Sequence, residues 1–271
     1  MKLSLSTNWC NRRMESGEEI AETALGLGFD ELELGFHTTL QQVEGFRRML
    51  DRIPVGSVHA FCPVPLSAPQ GYPELYQLAS FDGEARAMAR LQVRRNVQFA
   101  ASIGADTVVL HAGRVLVPAL PARWREWLRI RRGRKMAEIL RRELAELAPD
   151  LEKAGVVLGL ENLPYAEGFP NRGEIESVAG EWVKPWYDTG HAKLMGAAPA
   201  PGTVGLHLND TRGEADEHLP PGEGAVDFAA LRSLAESARH VVFEPSCAVS
   251  ESRLRRGIAR IRRLWNLPRA P

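Results

Sequence analysis

The sequence lacks an excess of either charge, because 34 lysine and arginine residues balance 34 aspartate and glutamate residues in a chain of 271. A neutral chain has no global attraction for nucleic acid or anionic lipid, although a local basic patch remains compatible with that balance. Apolar residues make up 44% and charged residues 25%, which is ordinary for a folded globule and argues against global disorder. The composition therefore does not favour nucleic acids or membranes as partners.

Cysteine and long apolar runs are also scarce. Cys10, Cys62 and Cys247 are odd in number, widely spaced and without a C-x-x-C pair, so neither a disulfide framework nor a zinc knuckle is predicted. No apolar run approaches the roughly 18 residues that span a bilayer, and the first residues, MKLSLSTNWCNRR, turn polar too early for a signal peptide. We therefore expect a reducing, cytoplasmic location.

Short β-rich runs alternate with longer segments of helical spacing. Eight runs are predicted strands, at residues 2–7, 31–35, 55–59, 106–111, 156–161, 182–188, 203–207 and 240–244. The predicted helices occupy residues 17–27, 39–52, 83–103, 134–154, 172–179, 227–237 and 250–265. The residues after the sixth strand are rich in alanine, glycine and proline and have the weakest helical pattern.

Glycines mark the ends of several predicted helices. Gly28, Gly104 and Gly155 follow the last residues of a helical segment, where a C-terminal cap requires positive φ. Eight strand–helix units predict an α/β fold, the (β/α)8 TIM barrel, whose usual length is about 250 residues. Because no linker or composition shift divides the chain, we expect a single domain over residues 1–271.

Six consecutive predicted strands end in residue types that bind metals. These residues are His59, His111, Glu161, Asp188, His207 and Glu244, with His191 shortly after the fourth of them. The C-terminal ends of barrel strands converge at one mouth. Imidazole and carboxylate are the ligands that divalent first-row metals use where no thiolate is offered. The pattern favours a metal centre over the alternative, a polar network that only plugs the barrel.

The motifs around these residues resemble those of the xylose isomerase-like TIM-barrel superfamily over essentially the whole chain. The matching segments, in chain order, are VHAF, VVLHAG, LGLEN, YDTGH, GLHLND, DEHLPPGEGAVDF and VVFEPS. The sixth segment adds Asp216 and His218 to the candidate residues. Sugar isomerases and epimerases form one branch of this superfamily, and relatives of endonuclease IV form another.

Resemblance to the isomerase and epimerase branch implies one divalent metal, Mn²⁺, Mg²⁺, Co²⁺ or Zn²⁺, held by the residues matching Glu161, Asp188, His207 and Glu244. The substrate implied is a sugar or sugar phosphate. Glu161 and Glu244 are then the proton acceptor and donor around a metal-stabilised enediolate. Which of the two carboxylates is the base stays open at this point.

Resemblance to the endonuclease IV branch implies three zinc ions on nine ligands, and the chain has a candidate for each. The additional candidates for metal or substrate binding are His59, His111, His191, Asp216 and His218. The alternative function is an apurinic/apyrimidinic endonuclease, a metal-dependent phosphodiesterase.

Three departures weaken the nuclease alternative. The segment GFHTT after the second strand lacks the Asn-Pro-Arg-x-Trp type of element with which those enzymes enter DNA. The stretch from His207 to Asp216 is shorter than theirs, and Glu217 stands where they carry arginine. An acidic residue there repels phosphate. We therefore place the sugar enzyme first, the phosphodiesterase second and a sugar-binding protein without catalysis third.

Residues outside the ligand set complete the prediction. Arg212 resembles an arginine that some ketose epimerases direct at a substrate hydroxyl, and Trp9 follows the first strand, so we expect both to contact substrate. The proline-rich loop of residues 61–81 is predicted to be a lid. The basic run of residues 123–135 is interpreted as a solvated helix start or a subunit contact in a homo-oligomer, with a phosphate or nucleic-acid clamp as the alternative.

Overall fold

The computed structural model describes residues 1–66, 68, 70–119 and 121–268. Its barrel strands are β1 (Ser4–Ser6), β2 (Glu31–Leu34), β3 (Val55–His59), β4 (Thr107–Leu110), β6 (Val157–Glu161), β8 (Val183–Asp188), β9 (Gly205–Leu208) and β10 (His240–Phe243). These eight strands are parallel and neighbour one another in that order, and β10 pairs with β1 to close the barrel. Two short strands, β5 (Gly113–Arg114) and β7 (Gly168–Phe169), form a separate antiparallel ribbon.

Helices connect the strands on the outside of the barrel. They are α1 (Gly17–Leu27), α2 (Leu40–Met49), α3 (Gly83–Ser102), α4 (Ala122–Ala154), α5 (Arg172–Val178), α6 (Thr189–Met195), α7 (Arg232–Ser237) and α8 (Glu251–Leu264). A 3-10 turn, Thr7–Trp9, follows β1. The predicted (β/α)8 barrel is thereby confirmed. Among the helices of the described residues, none combines the length and apolarity needed to cross a lipid bilayer.

Local sequence signals explain where several helices begin and end. The Ser16 hydroxyl accepts a hydrogen bond from the backbone of Glu19 at the start of α1, and Thr39 forms a capping box with Gln42 at the start of α2. Gly28 ends α1 with φ 85°. This is the left-handed conformation that residues with a Cβ disfavour, so the glycine permits the turn into β2.

Two predicted helices begin at clearly different residues in the structure. Helix α4 begins at Ala122 rather than at residue 134, because the basic run after Pro121 is rich in arginine, a good helix former, and its one glycine, Gly133, does not interrupt the helix. Helix α7 begins at Arg232 rather than at residue 227, because the Asp227 carboxylate accepts from two following backbone N–H groups in a turn. The segment after the sixth predicted strand has the weakest helical pattern, yet it does form a helix, α6, whose start is capped by the Asp188 side chain.

An apolar plug fills the barrel beside the strand ends. Trp186 is buried and packs with Val109 and Val242 in a small cluster inside the barrel. Its indole fits because Gly159 and Gly205 leave room: a Cβ on Gly205 would lie 2.2 Å from the ring. The Trp186 ring also contacts the imidazole of His207, with centroids 5.1 Å apart. The plug therefore supports the ligand residues at the mouth from within the barrel.

Candidate metal and active site

The predicted strand-end ligands converge in a buried cluster. Glu161 and Asp188 are the last residues of β6 and β8, His207 lies within β9, and Glu244 follows β10. Each offers a ligand atom within 4.8 Å of the others. His207 Nδ1 lies 3.1 Å from Glu161 Oε1, 3.2 Å from Glu244 Oε2 and 3.9 Å from Asp188 Oδ2. We call these four residues the ligand cluster.

Asparagines next to the ligands hold the carboxylates in place. The Asn209 amide donates to Asp188 Oδ2, and the Asn162 amide donates to the backbone oxygen of Asp188 at 3.1 Å. Asn8 donates to Glu244 Oε1 at 3.4 Å. None of these three asparagines was predicted from the sequence. The motifs LGLEN and GLHLND contain Asn162 and Asn209 beside a ligand, which is the signal that was present.

Glu33 on β2 is another residue that sequence reasoning missed. Its carboxylate is fully buried, accepts from the Ser57 hydroxyl at 2.8 Å and lies 3.1 Å from His207 Nε2. Hydrogen bonding of the second ring nitrogen to a carboxylate is the usual way in which a metal-binding histidine is oriented. The available signal was a charged residue within the short, apolar-alternating strand ELEL.

His59 and His111 extend the cluster on one side of Glu161. Their Nε2 atoms lie 3.2 Å and 3.0 Å from Glu161 Oε2. The other ring nitrogen of His111 is 3.7 Å from Glu74, which pairs with Arg114. Glu74 belongs to the loop of residues 61–81, so this loop contacts the site as predicted for a lid. Ser67 and Pro69 of that loop lie outside the described residues.

A second group of three ligands lies at the exposed edge of the cluster. Asp216 Oδ2 is 3.4 Å from His191 Nε2, and Asp216 Oδ1 is 3.3 Å from His218 Nε2. The Nδ1 atoms of the two histidines face the backbone oxygens of Asn162 and Glu244, each at 2.8 Å. A nitrogen that faces a carbonyl oxygen carries a hydrogen, so both Nε2 atoms are directed at a shared point.

Buried carboxylates and imidazoles shift one another's protonation. Burial lowers the pKa of His111, but the Glu161 and Glu74 carboxylates outweigh it and raise that pKa to about 9. Burial likewise opposes protonation of His207, yet its carboxylate neighbours raise the His207 pKa well above its ordinary value. Burial raises the pKa of Asp188 to about 6. The metal-free cluster therefore holds protons at neutral pH, and a bound cation has to displace them.

The donor set fits a divalent metal ion. Imidazole nitrogens and carboxylate oxygens arrive from separate strands, and two of the four ligands are fixed by hydrogen bonds: His207 donates to Glu33, and Asp188 accepts from Asn209. This combination matches ions of the zinc, manganese and cobalt type rather than a thiolate-bound metal. The residues of the ligand cluster are thus the ones that would hold such an ion.

The structure does not bring Trp9 and Arg212 to the cluster in the way that the sequence suggested. Trp9 is only 2% exposed, and its indole N–H donates to the backbone oxygen of Val249 at 2.7 Å, so its side chain packs in the core. The Arg212 side chain is 64% exposed and forms an ion pair with Glu217. The substrate contacts of Trp9 and Arg212 stay a prediction from the sequence.

A cavity of about 200 Å³ opens beside the ligand cluster. Its wall contains Glu244 of the ligand cluster, residues of the loops after β1, β2 and β9, and residues after β10. They are Asn8, Arg12, Phe36, His37, Asp216, Glu217, His218, Glu244, Pro245, Ser246 and Cys247. The two exposed tryptophans of the basic run, Trp124 and Trp127, line no part of this cavity.

Residues 21–264 match the protein family described as xylose isomerase-like TIM barrel. An uncharacterised protein of Mycobacterium leprae is 29% identical over 269 residues, and the match covers 84% of each chain. These matches confirm the superfamily resemblance that the motifs indicated.

Solved structures share the fold at low identity. A D-tagatose 3-epimerase-like protein has a TM-score of 0.74 at 20% identity, covering 98% of this chain and 97% of its own. The 3-keto-D-glucoside 4-epimerase of Escherichia coli has a TM-score of 0.73 at 17% identity, covering 97% and 99%. A Thermus thermophilus protein soaked with zinc chloride has a TM-score of 0.66 at 24% identity, covering 99% and 100%. At these identities the likeness shows the fold alone.

Proposed function

Because the chain belongs to the xylose isomerase-like TIM-barrel family, we propose that it is a metal-dependent isomerase or epimerase acting on a sugar or sugar phosphate. The observation that carries the proposal is that Glu161 and Glu244 both approach one imidazole nitrogen, at 3.1 Å and 3.2 Å from His207 Nδ1. The names of the solved neighbours, which include epimerases of keto sugars, support the same reaction class.

The proposed chemistry removes a proton from a sugar carbon beside the carbonyl and returns it either to the same carbon, which gives an epimer, or to the neighbouring carbon, which gives an isomer. A divalent ion held by the ligand cluster would supply Lewis-acid stabilisation of the negative charge that develops on the substrate oxygens. Glu161 and Glu244 exchange this proton with the reacting carbon of the substrate. Strands β8 and β9 separate β6 from β10, so the two carboxylates approach the substrate from different sides. One accepts the proton and the other returns it.

The surrounding residues prepare the two carboxylates for this task. His207 and His111 lower the pKa of Glu161 well below its ordinary value despite the opposing effect of burial, so Glu161 is ionised. Asn8 donates to Glu244 and restricts the orientation of that carboxylate. The loop of residues 61–81 contacts the site through Glu74 and helps to exclude water from it.

Metal content and turnover test the proposal together. We expect elemental mass spectrometry of the unchelated protein to find about one manganese, cobalt, magnesium or zinc ion per chain. A panel of ketoses, aldoses and their phosphates, followed by proton exchange from solvent D₂O, should identify a substrate whose conversion stops on chelation and returns with the metal. Absence of conversion and of exchange across the panel, in folded and metal-loaded protein, contradicts the proposal.

A metal-dependent phosphodiesterase is the second candidate function. The specific observation in its favour is the group of His191, Asp216 and His218, which a one-metal sugar enzyme does not need. Together with His59 and His111 on Glu161, this group would allow three ions to bind. The short connection from β2 to α2 and the zero net charge weigh against duplex binding.

Nuclearity and substrate separate the two candidates. The phosphodiesterase predicts close to three zinc ions per chain and cleavage of an oligonucleotide duplex that contains one abasic site. His218→Ala should abolish that cleavage and remove one ion per chain. About one ion per chain and an uncut abasic duplex leave the sugar enzyme as the remaining candidate.

A further inference from the structure

Arg12 places a positive charge in the wall of the cavity that adjoins the ligand cluster. Its Nη2 atom donates to the backbone oxygen of Gln70 at 2.9 Å and to His37 Nδ1 at 3.3 Å. Within the described part of the chain, no acceptor contacts its Nε or Nη1 atoms. The guanidinium is therefore held in position by two neutral groups while part of its donor capacity is unused.

The partner ring of Arg12 stays neutral. Burial and the adjacent Arg12 charge together lower the pKa of His37 to about 4. His37 thus accepts a hydrogen bond from Arg12 without adding a charge of its own. The loop backbone also approaches this ring, because a Cβ on Gly71 would lie 2.4 Å from His37 Nδ1.

The acidic groups in the same wall already have cationic partners. Asp216 lies 3.4 Å from His191 and 3.3 Å from His218, and Glu217 forms an ion pair with Arg212. The third acidic residue of the wall is Glu244 of the ligand cluster, which lies 3.2 Å from His207. Among the described residues that line the cavity, Arg12 is consequently a cation without an acidic partner.

We propose that the substrate carries an anionic group, a phosphate or a carboxylate, and that Arg12 binds this group while the ligand cluster holds the reacting end. The inference rests on the proposed sugar isomerase or epimerase function and narrows its substrate class to acidic sugars. A cavity of about 200 Å³ is smaller than the roughly 300 Å³ at which pockets for drug-sized ligands begin, which suits a monosaccharide. A fork of N–H donors suits both phosphate and carboxylate.

The anionic group also connects substrate binding to the loop of residues 61–81. Arg12 reaches Gln70 of this loop through its carbonyl oxygen. An anion that binds the Nε and Nη1 atoms of Arg12 leaves the hydrogen bond from Nη2 to Gln70 intact. Gln70 therefore stays hydrogen-bonded to Arg12 when the acidic sugar is bound.

Matched pairs of sugars test this inference by equilibrium binding and by kinetics. The probes are D-ribulose with D-ribulose 5-phosphate, D-fructose with D-fructose 6-phosphate, and D-fructuronate as the carboxylate. Manganese-loaded protein is titrated with each probe by isothermal calorimetry, and KM and kcat are measured for every probe that turns over. The variants are Arg12→Gln and Arg12→Lys. Arg13→Gln is the matched control, because Arg13 stacks on Trp9 and lines no part of the cavity.

We expect wild-type protein to bind the acidic member of at least one pair at least ~10-fold more tightly than its neutral counterpart. Arg12→Gln should weaken acidic probes by ~10- to 100-fold through KM and leave neutral probes nearly unchanged. Arg12→Lys should recover part of the loss, and Arg13→Gln should behave as wild type. Preference for a sugar phosphate identifies the anionic group as a phosphate, and preference for D-fructuronate identifies it as a carboxylate.

Three outcomes overturn the inference. Equal affinity of the wild-type protein for neutral and acidic probes contradicts an anionic substrate and leaves the proposed function intact. Equal weakening of both probe types by Arg12→Gln, with faster proteolysis of residues 61–81, assigns Arg12 only the role of holding the loop. Absence of binding and turnover for every sugar ends the proposed function and the inference together.

Discussion

The Glu33 carboxylate and the His207 imidazole form a buried pair on the side of the ring that faces away from the other ligands. Glu33 Oε1 is 3.1 Å from His207 Nε2, while Nδ1 of the same ring is 3.1 Å from Glu161. Both ring nitrogens therefore face ionised carboxylates and carry hydrogen in the metal-free protein, and Glu33 would keep the Nε2 hydrogen while a metal displaces the one on Nδ1. Strand β2 thus determines how a residue on β9 presents its ligand atom.

Replacing Glu33 should weaken metal binding without removing a ligand. We expect Glu33→Gln to reduce manganese affinity by ~10- to 100-fold, because the amide holds the ring without the negative charge that makes it more basic. Isothermal titration of the chelator-treated protein measures the effect. Glu31→Gln is the matched control, since Glu31 lies two residues away and pairs with Lys2. Unchanged affinity in Glu33→Gln contradicts this role.

The two proposed proton-transfer carboxylates should each be necessary for turnover. Glu161→Gln and Glu244→Gln keep the size of the side chain and remove the base, so we expect turnover to fall by at least ~10²- to 10⁴-fold. Circular dichroism should show folded protein in both cases. Metal content must be measured in parallel, because both residues belong to the ligand cluster. Glu181→Gln, at an exposed position, is the control, and normal turnover in either active-site variant disproves the proposed mechanism.

Metal binding should release protons and strengthen as pH rises. His111 has a pKa of about 9 in the metal-free protein, and the pKa of His207 is also raised. Below about pH 9, His111 therefore carries a positive charge beside Glu161 of the ligand cluster, and this charge opposes cation binding, so apparent affinity increases with pH until that value is passed. Calorimetry at one pH in buffers of different ionisation enthalpy counts the protons released. Release of no protons on metal binding at about pH 7 contradicts this prediction.

The glycine under Trp186 should be required for stability. A Cβ on Gly205 would lie 2.2 Å from the indole inside the barrel, so Gly205→Ala should cost about 1–3 kcal/mol of unfolding free energy. Gly26→Ala is the control, because Gly26 lies in α1 with no atom within 4 Å of the added Cβ. That change should stabilise the protein by about 0.5–1 kcal/mol. Guanidinium unfolding measures both, and equal stability of the two variants disagrees with the packing described.

The sequence by itself determined the alternation of strands and helices and the residues at the strand ends. Helix caps, glycine stops and hydrophobic periodicity are local, so the eight units of the barrel followed from neighbouring residues. The residues Glu161, Asp188, His207 and Glu244 were predicted because parallel strands of a barrel direct their ends to one mouth. The structure confirms the barrel, whereas the chemical roles of these residues stay a prediction.

Tertiary structure alone decided which residues support the site. Asn8 meets Glu244 across 236 residues of sequence because closure of the barrel pairs β1 with β10. The same closure turns Trp9 into the core and leaves Arg12 in the cavity wall. No local pattern encodes these outcomes, because the direction of a side chain at a strand end depends on strand register and on the neighbours that closure brings to it.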